Sequence, residues 1–487
     1  MEVSVQMVKS KVTAVCIGPE GIGLFGILSA TTGLISTLCG FGLNGSGVRQ
    51  VAAATATNDR SRIACVIYTL RRTSLATGLL GMLAVLWFAG PLSLLMTGTE
   101  QYSGYLVLLA PLILLQTVSG GQTALLRGLR RIGDLARLRI LGAVTALVLS
   151  VPLIWWYGLQ GVAPAMLTTA LVTLGVSWWY ARRIRLPVVR LRFLQVVSEA
   201  GTLFGLGATF VLTGLQGPLV QNAHRGILMN FTDLYTVGQF LAAMAISHVY
   251  VNFILQAMGM DYLPRLTRHK DTPAECNRLV NEQTEVALLL AVPGVTTLVV
   301  AAPLLIPLLY SHRFDDAIEV FRWQCLGVLL KVASWPLGFV LIARGRRMAF
   351  LVTETMTNVV HVSVFYFLVR SYGLTGAALA FAVVYLWYLP VIFYVVRQGT
   401  SFKWSTAVRR VLLVGLGTYT LAAAASFFLP SRWHWAVGLT LVLTSVTWSY
   451  LQLCRRLELP LAGLVLQKIR FLLKCQRAPD TSCDRRT

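Results

Sequence analysis

Apolar runs of membrane-spanning length follow one another along nearly the whole chain, broken by short clusters of charged residues, glycine and proline. A helix needs about 20 such residues to cross a hydrocarbon core roughly 30 Å thick. Cut at the breaks, the pattern predicts fourteen helices, at about 2 to 17, 22 to 43, 73 to 97, 105 to 125, 140 to 157, 162 to 181, 200 to 221, 236 to 258, 285 to 309, 321 to 343, 349 to 369, 375 to 396, 410 to 429 and 435 to 454. The run from Phe321 to Ala343 stands apart, because Lys331 lies near its middle and Pro336 follows five residues later. A cation at that depth is costly unless it faces a bundle interior, a watery cavity or an anion. Pro336 removes a backbone donor, so a kink is expected beside the charge.

Composition agrees with an all-α polytopic membrane protein: 56% of the 487 residues are hydrophobic and 13% are charged. The net charge of +23 would suit a nucleic-acid partner if it were spread evenly, but it is not. Of 42 Lys and Arg, 34 fall on one side of the predicted crossings and 5 on the other, with Lys9, Lys11 and Lys331 inside spans. That asymmetry places both termini in the cytoplasm and accounts for the charge by topology, which removes nucleic acid. The basic tail segment 467 to 477 is expected either to lie on anionic lipid as an amphipathic helix or to be solvated. Eight cysteines form no CxxC pair, so neither a disulfide framework nor a metal site is expected. The N-terminus does not read as a cleaved signal peptide, and helix 1 is short for a crossing, as if the start had been assigned late.

Aligned loops expose a repeat. YGLQGVA at 157 to 163 matches YGLTGAA at 372 to 378, LRGLRRIG at 126 to 133 answers ARGRRMAF at 343 to 350, and GPEGIGLFG at 18 to 26 echoes NFTDLYTVGQF at 230 to 240. The offsets are 215, near 217 and near 213, and six helices separate the copies. Both copies then enter the membrane the same way round, giving two pseudo-symmetric parallel six-helix halves. The domain reading is 1–195 for the first half, 196–409 for the second, 410–454 for two further helices and 455–487 for a basic cytoplasmic tail.

The stretch from Gly18 to Ala52 resembles the opening of polysaccharide-export flippases of the MOP superfamily, which include the O-antigen (Wzx-like) translocases. YLPRLTR at 262 to 268, KVASWPLGFVLIARG at 331 to 345 and TETMTN at 353 to 358 extend the likeness over essentially the whole chain. The resemblance implies a fourteen-helix flippase of a bacterial inner membrane. It would move an undecaprenyl-diphosphate-linked oligosaccharide from the cytoplasmic to the periplasmic leaflet, with membrane lipids around it and a polysaccharide polymerase and chain-length regulator as further partners.

Such a substrate needs cationic, hydrated surface within the bundle. The candidates are Lys331, Arg49, Arg225, Lys9 and Lys11, with arginine able to hold phosphate bidentately and lysine as a point charge. Lys9 and Lys11 stand two apart on a helix, so they cannot both face one cavity. Glu354, Asn358 and His361, spaced four and three, share a helical face and could exchange H+ or hold Na+ as a coupling ion, or join helices by hydrogen bonds. No nucleotide loop, HExxH or soluble catalytic domain is present in the sequence, so no cofactor and no enzyme activity are expected. Two alternatives remain beside the flippase. A multidrug-type exporter of the same superfamily would want an acidic cavity, and a membrane glycan polymerase or ligase would want a large outer loop, where none longer than about fifteen residues is predicted.

Overall fold

The computed structural model describes residues 2–56, 60–184, 201 and 214–456, and among these no strand occurs. The helices are α1 (Glu2–Cys39), α2 (Leu43–Ala56), α3 (Arg60–Thr97), α4 (Ser103–Gly128), α5 (Ile132–Tyr157), α6 (Val162–Arg182), α7 (residues 214–231), α8 (Leu234–Arg268), α9 (Pro273–Leu309), α10 (Ala317–Ala343), α11 (Arg347–Thr400), α12 (Thr406–Phe428) and α13 (Ser431–Arg456). Nine helical stretches among the described residues are long and apolar enough to cross a membrane. The basic segment 467 to 477, most of the expected tail and the first part of predicted helix 7 lie outside the described residues.

Two long helices are hairpins. α11 has 54 residues, which as a straight rod would reach about 80 Å, far beyond one crossing. It bends instead at Gly373, whose φ of 56° and ψ of −127° suit a residue without Cβ. Its ends meet, since Arg344 Nη1 donates to the Gly399 carbonyl. α1 reverses likewise at Gly18 (φ 64°, ψ −165°), with Pro19 next. Lys9 Nζ stands 6.0 Å from the Phe25 ring centroid, although a straight helix would hold residues 16 apart about 24 Å from each other. The loop expected between helices 1 and 2 is therefore reduced to a single glycine. Helix 2 also runs further than its apolar run. After a break at Gly40, Phe41 and Gly42 it continues as α2, which places Arg49 within a helix rather than at its end.

The repeat appears in the backbone at one offset. Gly158, between α5 and α6, has φ 55° and ψ −129°, almost the values of Gly373, 215 residues later. Three residues on, a Cβ at Gly161 would strike the Leu153 carbonyl and one at Gly376 the Leu368 carbonyl, again 215 apart. The α4–α5 and α10–α11 turns match too: Arg131 N–H donates to Leu126 O as Arg346 N–H does to Leu341 O, and Arg130 and Gly345 both have positive φ. These positions correct the offset of the second loop pair from 217 to 215.

The chain forms two compact units. Unit 1 comprises Met1–Ile246, Pro303–Gln324 and Val352–Val384. Its apolar centre includes Leu24 and Leu28 of α1, Leu109 and Ile113 of α4, and Val162 and Met166 of α6. Unit 2 comprises Ser247–Ala302, Cys325–Leu351 and Tyr385–Thr487, and is centred on Tyr262 and Leu266 of α8, Leu337 and Leu341 of α10, and Tyr388 and Ile392 of α11. α8 and α9 extend well past their apolar runs. In unit 2 the extensions are joined by ion pairs of Arg265 to Asp261 and Glu282, Arg278 to Glu275 and Glu282, and Arg456 of α13 to Glu282 and Glu285.

Candidate functional site

α10 is the most buried of the apolar spans among the described residues, and it carries Lys331. Leu330 and Val332 on either side are closed off from solvent, while Lys331 itself is half-buried. Its Nζ lies 5.9 Å from the ring centroid of Tyr385, on the second limb of α11. A cation at this distance from an aromatic face is stabilised by the ring quadrupole, and more so away from bulk water. Trp335 and Phe339 follow at intervals of four on α10, with ring centroids 4.5 Å apart, and both pack on Tyr262 of α8. Tyr262 Oη donates to the Pro336 carbonyl at 3.0 Å, bracing the helix through which the proline passes. Lys331 thus heads a face of α10 whose next members are aromatic.

The other predicted cations lie in unit 1. Lys9 Nζ donates to Thr169 Oγ1 of α6 at 3.3 Å, and Lys11 Nζ to the Pro307 carbonyl of α9 at 3.0 Å. The two lysines diverge, as their spacing requires. Arg225 on α7 is half-buried and donates from Nη2 to Gln221 Oε1 at 3.4 Å. Arg49 is exposed on α2.

The stripe on α11 faces α7. Asn358 Nδ2 donates to Gln216 Oε1 at 3.3 Å, and Gln216 Nε2 donates to Thr355 Oγ1 at 3.1 Å. His361 meets His224 of α7, with ring centroids 4.3 Å apart, and Glu354 is half-buried one turn before Asn358. Gln216, His224, Trp335 and Tyr385 escaped the sequence reading. Their partners are 54 to 142 positions away, beyond any helical period.

A third arrangement within unit 1 joins the start of α8 to α1. A Cβ on Gly23 would collide with the Leu234 carbonyl, and one on Gly238 with the Pro19 carbonyl. Nearby, the Gln239 side chain, fully buried, donates to the Arg313 carbonyl at 2.7 Å and accepts from the Ala317 N–H at 3.0 Å. Tyr235 Oη adds a bond to the Arg313 carbonyl at 3.2 Å.

Paired helical bundles with a half-buried cation in a central span and glycine hairpins at the repeat positions define a multi-pass membrane protein with the fold of MOP-superfamily transporters. The likeness to solved structures is direct. A multidrug resistance MATE family transporter of the MOP superfamily in its inward-facing conformation matches with a TM-score of 0.71 at 16% identity, covering 84% of this chain and 96% of that one. The lipid II flippase MurJ, in an inward closed conformation, matches with a TM-score of 0.65 at 12% identity over 91% of this chain and 98% of the other. Residues 13–319 match the polysaccharide biosynthesis protein family, and the chain belongs to it. A similar protein, the lipid III flippase of Escherichia coli (strain K12), is 25% identical over 400 residues, which is 80% of this chain and 94% of that protein. The lipid III flippase of Shigella flexneri matches to the same extent.

Proposed function

We propose that this protein is a flippase that moves an undecaprenyl-diphosphate-linked oligosaccharide, an O-antigen or related surface-polysaccharide repeat unit, from the cytoplasmic to the periplasmic leaflet of a bacterial inner membrane. It crosses the membrane fourteen times with both termini cytoplasmic, the hairpins at Gly18 and Gly373 each counting as two crossings. The observation that carries the reading is the setting of Lys331, a half-buried cation in the most buried of the described apolar spans, 5.9 Å from the ring centroid of Tyr385. Within unit 2, Lys331 receives the diphosphate, and Trp335 and Tyr385 offer faces on which sugar rings stack; within unit 1, Arg225, Arg49 and one of Lys9 and Lys11 are its anion contacts. Access alternates between the two leaflets. Glu354, Asn358 and His361 couple the cycle to a gradient of H+ or Na+. A polymerase and a chain-length regulator receive the exported unit.

The polysaccharide family membership and the relatives named for lipid III support a lipid-linked substrate over a drug. A multidrug exporter of the same fold is the competing reading, favoured by the MATE likeness. Deletion and complementation decide between them. The flippase reading expects loss of complete surface polysaccharide and accumulation of lipid-linked oligosaccharide in the deletion strain, both restored by the plasmid-borne gene. Unchanged polysaccharide banding with altered drug sensitivity would overturn it.

A further inference from the structure

α4 changes character halfway along. Gln116, Gly120, Thr123 and Arg127 stand four, three and four apart on it and share one face. Gln116 and Arg127 are exposed, and Gly120 and Thr123 are half-buried. Earlier on the same face Leu109, Leu112 and Ile113 are closed off, so the face opens only from the middle of the span onward. Val107 and Leu108, each 45% exposed, lie off this face, as expected of residues that meet acyl chains.

α1 and α2 border the open face within unit 1. Ser36 Oγ of α1 donates to Gln116 Oε1 at 2.6 Å, and a Cβ on Gly33, one turn earlier, would meet nothing within 4 Å. Asn44 of α2 is exposed, and its Oδ1 would lie 2.6 Å from a Cβ on Gly120. Further along, Gly47 faces Ala124 and Val51 faces Gly128, so α2 runs beside α4 toward Arg127. The strip from Gln116 to Arg127 is about 16 Å long. Neither α2 nor α4 contains an acidic residue. Ser36 occupies only the oxygen of the Gln116 amide, and neither its nitrogen nor the Asn44 side chain has a hydrogen-bond partner among the described residues.

A primary amide left open to hydrocarbon at mid-span is unfavourable, so this face is one that water or a polar ligand fills. The groups present say which ligand. Amides and hydroxyls combine donors with acceptors, as sugar hydroxyls do, and they carry no charge with which to hold a diphosphate. We infer that Gln116 and Asn44 hydrogen-bond to sugar hydroxyls of the cargo, so that this face of unit 1 takes part in choosing the glycan. The inference rests on the reading that the cargo is a lipid-linked oligosaccharide. Arg127, the one cation of the four residues, marks the cytoplasmic end of the strip in the proposed topology. The strip is then open toward the leaflet from which the sugar enters and closes at Gln116, beyond which Leu112 and Ile113 seal the face.

The experiment uses the full chain in nanodiscs and two probes: the lipid-linked oligosaccharide that accumulates in the deletion strain, and undecaprenyl diphosphate without sugar. The wild type should bind the first more tightly. Gln116→Leu and Asn44→Leu, each checked for monodisperse insertion, should weaken the oligosaccharide lipid by about 2- to 12-fold and leave undecaprenyl diphosphate unchanged. Ser36→Ala removes the bond between α1 and α4 but keeps the amide, so it should retain the preference for the sugar-bearing lipid. Equal wild-type affinity for the two probes, or variants that lose both alike, would overturn the sugar contact while leaving the lipid cargo in place. Ser36→Ala as damaging as Gln116→Leu would make Gln116 a residue that only joins helices. A wild type that binds neither probe fails the cargo reading, and the inference falls with it. Independently, Gln116→Cys and Thr123→Cys should react with a charged, water-soluble maleimide, read peptide by peptide, while Leu108→Cys should not. An unlabelled Gln116→Cys would show a dry face and overturn the inference.

Discussion

Gly23 and Gly238, 215 residues apart, make the same contact with each other's helix: each lies against the carbonyl four residues before the other, Leu234 for Gly23 and Pro19 for Gly238. Such an exchange is what a pseudo-twofold axis produces, residue i meeting the counterpart of j while j meets the counterpart of i. Small residues let two helices approach to backbone contact. Since the opposing atoms are carbonyls, nothing flexible can move aside.

Gly238→Leu should therefore force the start of α8 away from α1. Overpacking of this kind costs about 1–3 kcal/mol, so a lower thermal midpoint is expected in nanodiscs, with export lost although the protein is inserted. Gly417→Leu, at a glycine with open space around it, is the control. Equal midpoints for the two variants would show that the crossing is loose.

Lys331→Ala should abolish export of complete polysaccharide at wild-type expression. Losing a charge-assisted contact of about 1.5–3 kcal/mol weakens diphosphate binding by about 10- to 150-fold. Lys331→Arg keeps the charge and should retain part of the activity. Normal lipopolysaccharide banding in a fully expressed Lys331→Ala strain would remove this residue from the site.

Glu354→Gln should slow turnover more than it weakens substrate binding, if the stripe on α11 carries a coupling ion. Transport into liposomes with an imposed gradient reads this directly. A variant as responsive to the gradient as wild type would leave Glu354 a structural residue.

Gly158→Ala and Gly373→Ala should destabilise by similar amounts, about 1–2 kcal/mol each, because a Cβ is disfavoured at positive φ and the two backbones share one geometry. Matched chemical denaturation of the two variants tests the repeat energetically. A large effect at one site and none at the other would mean that the two hairpins carry different loads.

Much of the fold was legible because hydrocarbon imposes apolar runs of fixed length, and α4, α6 and α12 begin and end within a few residues of them. The helix ends were not. α8 and α9 continue as charged helices braced by Arg265, Arg278 and Arg456, which hydropathy cannot distinguish from loop. The turn after residue 17 was placed, but not its shortness, since the sequence does not distinguish a one-residue reversal at Gly18 from a short loop. At the site, the spacing of Glu354, Asn358 and His361 revealed a common face. That α7 would supply Gln216 and His224 to meet it is a long-range pairing that no single helix encodes.

The chain turns back at one residue at Gly18 and Gly373 and within the four residues Gly158–Gly161. Proteases and antibodies would find scarcely any chain to grip at these turns, and an epitope tag spliced into one of them would destroy the bend it was meant to report. Accessibility labelling is better directed at the Gly98 to Tyr102 stretch or the short segment around His312, where the chain lingers for several residues between helices.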